Sequence, residues 1–291
     1  MKALRSTPAV ASIATVMAVA SLGVIGASGP SPRTAAAPAP TAVTAPAACA
    51  AKPTVVLVHG AWAGTSSWNG VTERLQREGY VVRAFANPLR GLTGDAADLA
   101  AFLKTVDGQI VLVGHSYGGS VITNAAAGNP AVKQLVYVDA AAPAIGETTA
   151  QLSGATSALG AQPATLYDQV RYPGAPSGDA ELYLKQPVFL QSFGQDLPKP
   201  VATTLWAGQR PAAMRAFTTP SKAAAWQTIP SWYVIGTADK IITPESQQAM
   251  ARRANAKVLQ VPGGSHLTLV SHPAPVTEQI LAAAHAVCPP S

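Results

Sequence analysis

Charge is scarce in this chain: of 291 residues only 12% are Asp, Glu, Lys or Arg, 20 of them basic and 14 acidic. The surface must therefore lean on Ser, Thr, Gln and Ala. The surplus of +6 is scattered, with no basic run longer than Arg252-Arg253. Nucleic-acid binding needs a basic stripe, so no nucleic-acid partner is expected. Cysteine is rarer still, Cys49 and Cys288 being the only two. Neither a paired-cysteine spacing nor H-E-x-x-H occurs, so no metal is implied. Long apolar runs are also missing. The longest, Val10 to Ile25, is short for a membrane span, which needs roughly 20 apolar residues.

That run follows Lys2 and Arg5 and precedes small residues at Ala27 and Ala35 to Ala37. Positive, apolar and cleavable in that order is the pattern of an export signal. Residues 1–27 are accordingly read as a signal peptide and the protein as secreted, with no stable membrane insertion after processing. An uncleaved anchor is the alternative. No cysteine closes the apolar run, which argues against a lipid anchor. Residues 28–48, rich in Ala, Pro, Thr and Ser, cannot bury a core and read as a flexible linker. The globular part is expected over 49–291, bracketed by Cys49 and Cys288. In an exported chain one disulfide tying its ends is the natural reading, and two unrelated thiols the other. With 48% hydrophobic residues the chain can bury one large core.

Within that part, strand and helix patterns alternate. Thr54 to Val58 is a β-branched run without polar alternation, as expected of a buried parallel strand. Tyr80 to Phe85, Gln109 to Val113, Leu135 to Val138, Trp232 to Ile235 and Lys257 to Val261 repeat it. Helical stretches lie between them, at Ser66 to Glu78, Asp95 to Val106, Tyr117 to Ala127 and Pro244 to Ala254, with a last helix from about Pro275 to Ala286. The pattern predicts an α/β fold, a doubly wound and mostly parallel sheet covered on both faces. Residues 143–229 break the alternation, being rich in Pro and Gly with helical pieces such as Lys222 to Trp226. A segment this long inside one domain reads as a helical lid, inserted between the strand ending near Asp139 and the strand starting near Ser231. It would cover the carboxyl ends of the strands, where such sheets bind ligands.

Gly114-His115-Ser116-Tyr117-Gly118 joins one of these strands to a helix. A strained strand-to-helix turn would present the Ser116 hydroxyl, and side chains two residues away on either side would collide, hence the glycines. The helix N-terminus adds donors and a favourable dipole for negative charge. A tight turn with an incidental serine is the bland alternative. Serine needs a base. Of five histidines, His59 precedes Gly60 and shapes a loop, His115 sits within the turn, and His285 lies in the last helix. His272 starts that helix and reads as a capping or surface residue. His266, in the Gly-rich loop after the last strand, is the expected base. The acid that orients it is Asp239, in "GTADK", with Asp139 as the other candidate. The oxyanion donors are expected at the Tyr117 and Ala61 amides, the second in "VHGAWAGTSSW", where Gly60 permits close approach. Trp62 and Trp68 read as packing or pocket walls.

"VLVHGAW", "GHSYGG", "GTADKIITPE" and "GGSHL", in this order, give the chain a resemblance to α/β-hydrolase-fold enzymes from about Thr54 to Ala286. "HGAW" is similar to the small esterase and hydroxynitrile-lyase branch and its exported bacterial relatives. The lyases of that branch carry a threonine at or near the position of Gly60 and a lysine after the histidine. Here Leu267 follows His266, so the resemblance implies ester hydrolysis instead. The expectation is a serine esterase using Ser116, His266 and Asp239 without a cofactor. Its substrate would be a small-molecule ester with an apolar part. Its activity should fall below about pH 6.5 as His266 protonates. A perhydrolase or haloperoxidase-like enzyme with the same triad and a non-catalytic binder on the same scaffold remain alternatives.

Overall fold

Runs of Val, Leu and Ile that carry no polar alternation can only be stable as strands when both faces are covered. Four of them form the middle of a six-stranded, all-parallel sheet in the computed structural model, which describes residues 51–289 together with Gly29. The expected export signal, the rest of the linker and Cys49 lie outside the described residues. The chain divides near residue 45, and the strands and helices described all lie in the second unit, Pro46–Ser291.

Strands β1 (Thr54–Val58), β2 (Val82–Phe85), β3 (Ile110–His115) and β4 (Val132–Val138) come first. After them come β5 (Tyr167–Val170), β6 (Glu181–Leu184), β7 (Ala212–Ala213), β8 (Ser231–Gly236) and β9 (Lys257–Val261). The large sheet runs β2-β1-β3-β4-β8-β9. Every residue of β3 and β8 is buried, whereas the edge strands β2 and β9 expose Arg83, Lys257 and Gln260. Charged and polar side chains on an edge strand discourage further strand pairing.

Helix α1 (Asn69–Arg77) packs against the terminal helix Pro273–Val287, and α2 (Leu92–Leu103) packs against α3 (Tyr117–Ala125). The helix Pro244–Arg253 lies on β8. The chain leaves β1 toward β2 and returns on the other side at β3. The order therefore switches between β1 and β3, where open α/β sheets leave a crevice at the strands' carboxyl ends.

The segment between β4 and β8 corrects the helical reading. It holds the helix Lys199–Ala207 and several shorter turns, but also an antiparallel sheet in the order β5-β6-β7. The short strands Tyr167–Val170 and Glu181–Leu184 are half-exposed and mixed in polarity, so neither shows an apolar run. Lys222 to Trp226 is no helix: a single 3-10 turn covers Ala225–Gln227. Among the described residues no helix is long and apolar enough to cross a membrane.

Close backbone approach between α3 and β1 leaves no room at Gly118, where a Cβ would lie 2.5 Å from the Val58 carbonyl oxygen. Gly94, in the first turn of α2, faces open space. Gly118→Ala should therefore destabilise by about 1–3 kcal/mol through overpacking. Gly94→Ala should stabilise by up to about 1 kcal/mol through helix propensity. Thermal melts of the two variants, moving in opposite directions from wild type, check this.

Candidate active site

Ser116 stands between β3 and α3 with φ 55° and ψ −125°, in a region that residues other than glycine rarely enter. The turn closes because both flanking positions lack a side chain. A Cβ on Gly114 would come 2.6 Å from the Gly118 carbonyl oxygen, and one on Gly118 would strike β1. The first residue of α3, Tyr117, is anchored by its phenol, which donates to Asp95 Oδ2 at 2.6 Å. Asp95 also accepts from the backbone amides of Arg90 and Gly91 at 3.0 and 3.2 Å.

His266 follows β9 and is fully buried. Its Nε2 lies 2.8 Å from Ser116 Oγ, and its Nδ1 lies 2.7 Å from Asp239 Oδ2. An ionised carboxylate can only accept, so Nδ1 carries the proton and Nε2 offers its lone pair to the serine hydroxyl. Asp239 is held by the amides of Ile241 and Ile242 at 2.7 and 3.1 Å and by Gln247 Nε2 at 2.7 Å. Burial lowers the His266 imidazole from its usual value to about 3. It raises the Asp239 carboxyl well above its usual range, opposed by the same three donors. The resting histidine is thus neutral.

The other acid candidate, Asp139, does not touch His266. It accepts from the Gly236 amide at 2.8 Å and from the Thr268 amide and hydroxyl at 3.2 and 2.5 Å. It ties the end of β8 to the residue two beyond His266. Burial, and then the neighbouring charge of Asp239, raise the Asp139 carboxyl well above its usual range. His115 turns away from the serine and its Nε2 lies 2.8 Å from the His266 carbonyl oxygen, bracing that loop. His272, at the N-cap of the terminal helix, meets Ser271 Oγ at 2.8 Å and stays clear of the serine.

The loop after β1 presses on Ser116. A Cβ at Gly60 would lie 2.5 Å from Ser116 Cβ. The Trp62 amide donates to the Arg210 carbonyl at 2.9 Å, whereas the Ala61 and Tyr117 amides donate to no described residue. Both open amides flank the serine in sequence or in space. The Trp62 ring stacks on Tyr167 at 5.7 Å and on Phe217 at 5.3 Å and meets Phe193 edge-on at 5.9 Å. Phe193 in turn contacts the His266 ring at 5.0 Å. Only 5% of Ser116 reaches the surface. Tyr167 and Phe217, with Leu159, Leu182 and Met214, also line a cavity of about 350 Å³. Trp68, by contrast, is a buried packing residue beside His115.

Gln247, Asp95, and the pair Gln195 and Asp196 are absent from the motifs, yet they hold the site together. Gln195 Nε2 donates to the Ala238 carbonyl at 2.7 Å, and Asp196 Oδ2 accepts from the Ser265 amide at 3.0 Å. A glutamine within a helix or an acid in a Pro/Gly-rich segment carries no local signal of such a role. Among the described residues no group of three or more His, Cys, Asp or Glu is placed to hold a metal ion.

Residues 55–279 match the model of the alpha/beta hydrolase family. A carbendazim-hydrolysing esterase of Nocardioides sp. (strain SG-4G) is 35% identical over 106 residues, 32% of this chain and 44% of that protein. The match thus spans less than half of that relative's length. The alpha/beta hydrolase nvfD of Aspergillus novofumigatus is 29% identical over 228 residues, 70% of this chain and 85% of that one. Among solved structures, an extracellular alpha/beta-hydrolase from a Paenibacillus species superposes with a TM-score of 0.66 at 23% identity, covering 79% of this chain and 98% of the other. Polyneuridine aldehyde esterase does so with a TM-score of 0.67 at 19% identity, covering 80% and 99%. Because the family match runs from β1 into the terminal helix and takes in Ser116, Asp239 and His266, this chain belongs to the alpha/beta hydrolase family.

Proposed function

We propose that the protein is a serine esterase, and one observation carries this reading: the unbroken hydrogen-bond chain from Ser116 Oγ through His266 to Asp239, at 2.8 and 2.7 Å. His266 Nε2 takes the hydroxyl proton as Oγ attacks the ester carbonyl, and Asp239 stabilises the imidazolium that forms. The Ala61 and Tyr117 amides receive the developing oxyanion. The tetrahedral intermediate collapses, His266 returns its proton to the leaving alkoxide, and the alcohol departs. Water, deprotonated by the same nitrogen, then hydrolyses the acyl-enzyme.

The substrate is a small ester with an apolar portion. The cavity of about 350 Å³ lined by Tyr167, Leu182, Met214 and Phe217, two of which stack on Trp62, supports this, as does a relative named for hydrolysis of carbendazim. The insertion acts as a lid over the site, a role supported by the burial of Ser116 and His266 and by the contact of Phe193, from the insertion, with the His266 ring. The export signal over 1–27, the linker over 28–48 and the hydrolase unit over 49–291 belong to the same proposal. So does the bridge between the two cysteines, supported by Cys288 not being a free thiol.

Ser116→Ala should lower kcat for p-nitrophenyl esters by roughly 10⁴-fold or more, and wild type alone should gain the mass of a fluorophosphonate probe. Full turnover by the variant would refute the esterase reading. Asp239→Asn places an amide N–H against the His266 Nδ1–H and favours the wrong tautomer, so kcat should drop by about 10³- to 10⁴-fold. Asp139→Asn should cost less, about 10-fold, because its carboxylate does not touch the histidine and acts on it only through Thr268 and Gly236. Equal losses in the two would contradict the assignment of the acid.

Burial shifts the expected pH dependence. The base must be neutral to act, and an imidazole lowered to about 3 stays neutral further into acid. The acid limb of kcat/KM should therefore have its midpoint below the 6.5 of a free histidine, the value assumed from sequence. A midpoint at or above 6.5, on enzyme that remains folded, would contradict it.

A further inference from the structure

The loop after β1 contains a buried network that proton transfer leaves unused. His59 is fully buried, and both its ring nitrogens are engaged. The Asn87 backbone N–H donates to Nε2 at 3.1 Å. With Nε2 accepting, the ring proton sits on Nδ1, which donates to the Gly60 carbonyl oxygen at 2.9 Å. Asn87 closes the arrangement through Nδ2, which donates to the His59 carbonyl at 3.1 Å. Burial lowers the imidazole to about 4, so the ring is neutral and this tautomer persists.

The Gly60 carbonyl and the Ala61 N–H belong to one peptide plane. No cis peptide occurs among the described residues, so the two groups point in opposite directions. Holding the carbonyl therefore aims the N–H. Gly60 lies against the nucleophile, with a Cβ there reaching 3.1 Å from Ser116 Oγ. The next peptide is fixed independently. The Trp62 amide is committed to the Arg210 carbonyl at 2.9 Å, and its indole N–H donates to the Leu182 carbonyl at 2.8 Å. These bonds hold Trp62 at φ 56°, a conformation a bulky side chain enters only when its surroundings enforce it.

We infer that His59 is a positioning residue of the oxyanion site. Its Nδ1–H holds the Gly60–Ala61 peptide plane so that the Ala61 N–H meets the oxygen of the tetrahedral intermediate, and Asn87 holds the ring that does so. This rests on the esterase reading. The competing role is purely structural: His59 tethers the chain at Asn87 to β1, and its bond to Gly60 is incidental.

Two substitutions separate the roles. His59→Asn keeps a donor near the position of Nδ1 and loses the acceptor for the Asn87 amide. His59→Gln keeps an acceptor near the position of Nε2 and loses the donor to Gly60. Steady-state kinetics on p-nitrophenyl esters should show kcat reduced about 10- to 100-fold in His59→Gln and His59→Leu with KM little changed, because misdirecting an oxyanion donor weakens the transition state and not the ground state. His59→Asn should recover most of that loss. A boronic acid that forms a tetrahedral adduct on Ser116 should lose affinity in parallel with kcat. Should His59→Gln fail to fold in a thermal melt, Asn87→Ala replaces it: the backbone N–H on Nε2 remains but the Nδ2 bond that fixes the His59 carbonyl is lost, and kcat is expected to fall roughly 3- to 10-fold at constant KM. Rescue by Gln and not by Asn, equal losses in both, no loss in either, or a rise in KM alone with Asn87→Ala each overturns the inference. Fluorophosphonate labelling of wild type at Ser116 keeps the two readings apart. Without labelling the esterase reading itself fails. With labelling, an unexpected His59 series removes only the role given to His59.

Discussion

The site depends on how closely three stretches of backbone approach one another: the end of β1, the turn at Ser116 and the start of α3. At Gly60, Gly114 and Gly118 a single added carbon would lie within 2.8 Å of a backbone carbonyl oxygen. Such contacts are repulsive, so the crossing exists only because those positions are bare. The approach lifts Ser116 into its strained conformation at the rim of the sheet, and it brings the loop after β1 within reach of the same hydroxyl. The sheet order sets where this happens, since β1 and β3 are neighbours at the point where the winding reverses direction.

Around that crossing, polar groups are buried yet paired. Asp239 accepts from two amides, a glutamine and an imidazole, which spreads its charge over fixed donors with little exposure to water. In such surroundings each hydrogen bond is electrostatically stronger than in solvent, and each misplaced donor costs more. The histidine loop is held on three sides: by His115 from the serine turn, by Asp139 from β4 and by Asp196 from the insertion. The insertion therefore does two things at once. Its Phe193 packs on the His266 ring, and Gln195, Asp196 and Arg210 brace the Asp239 loop, the histidine loop and the loop after β1. Displacing it would loosen the loops it braces.

The interior of the fold was open to reading in advance because burial on both faces writes itself into a strand as an unbroken apolar run. Val55 to Val58 and Ile110 to Val113 leave no polar alternation to read otherwise. The glycine spacing around Ser116 is equally legible, since it reflects a local steric demand. Tyr167–Val170 and Glu181–Leu184 escaped because they are half-exposed strands stabilised by each other and by the core beneath them. Their pairing leaves no periodicity in either segment alone.

The amino-acid sequence by itself therefore determined the sheet, the serine turn and the set of residues from which an acid and a base could be drawn. Those features depend on neighbours within a few positions, or on burial common to a whole run. Tertiary structure decided which aspartate meets His266, that Gln247 and Asp196 support the site, that His59 grips the Gly60 carbonyl, and that an antiparallel sheet sits within the insertion. Each of these rests on side chains or strands brought together by the path of the chain. The surroundings of Asp239 and His266 marked both as candidates, but their contact of about 2.7 Å, between residues 27 apart, is made by the path of the chain.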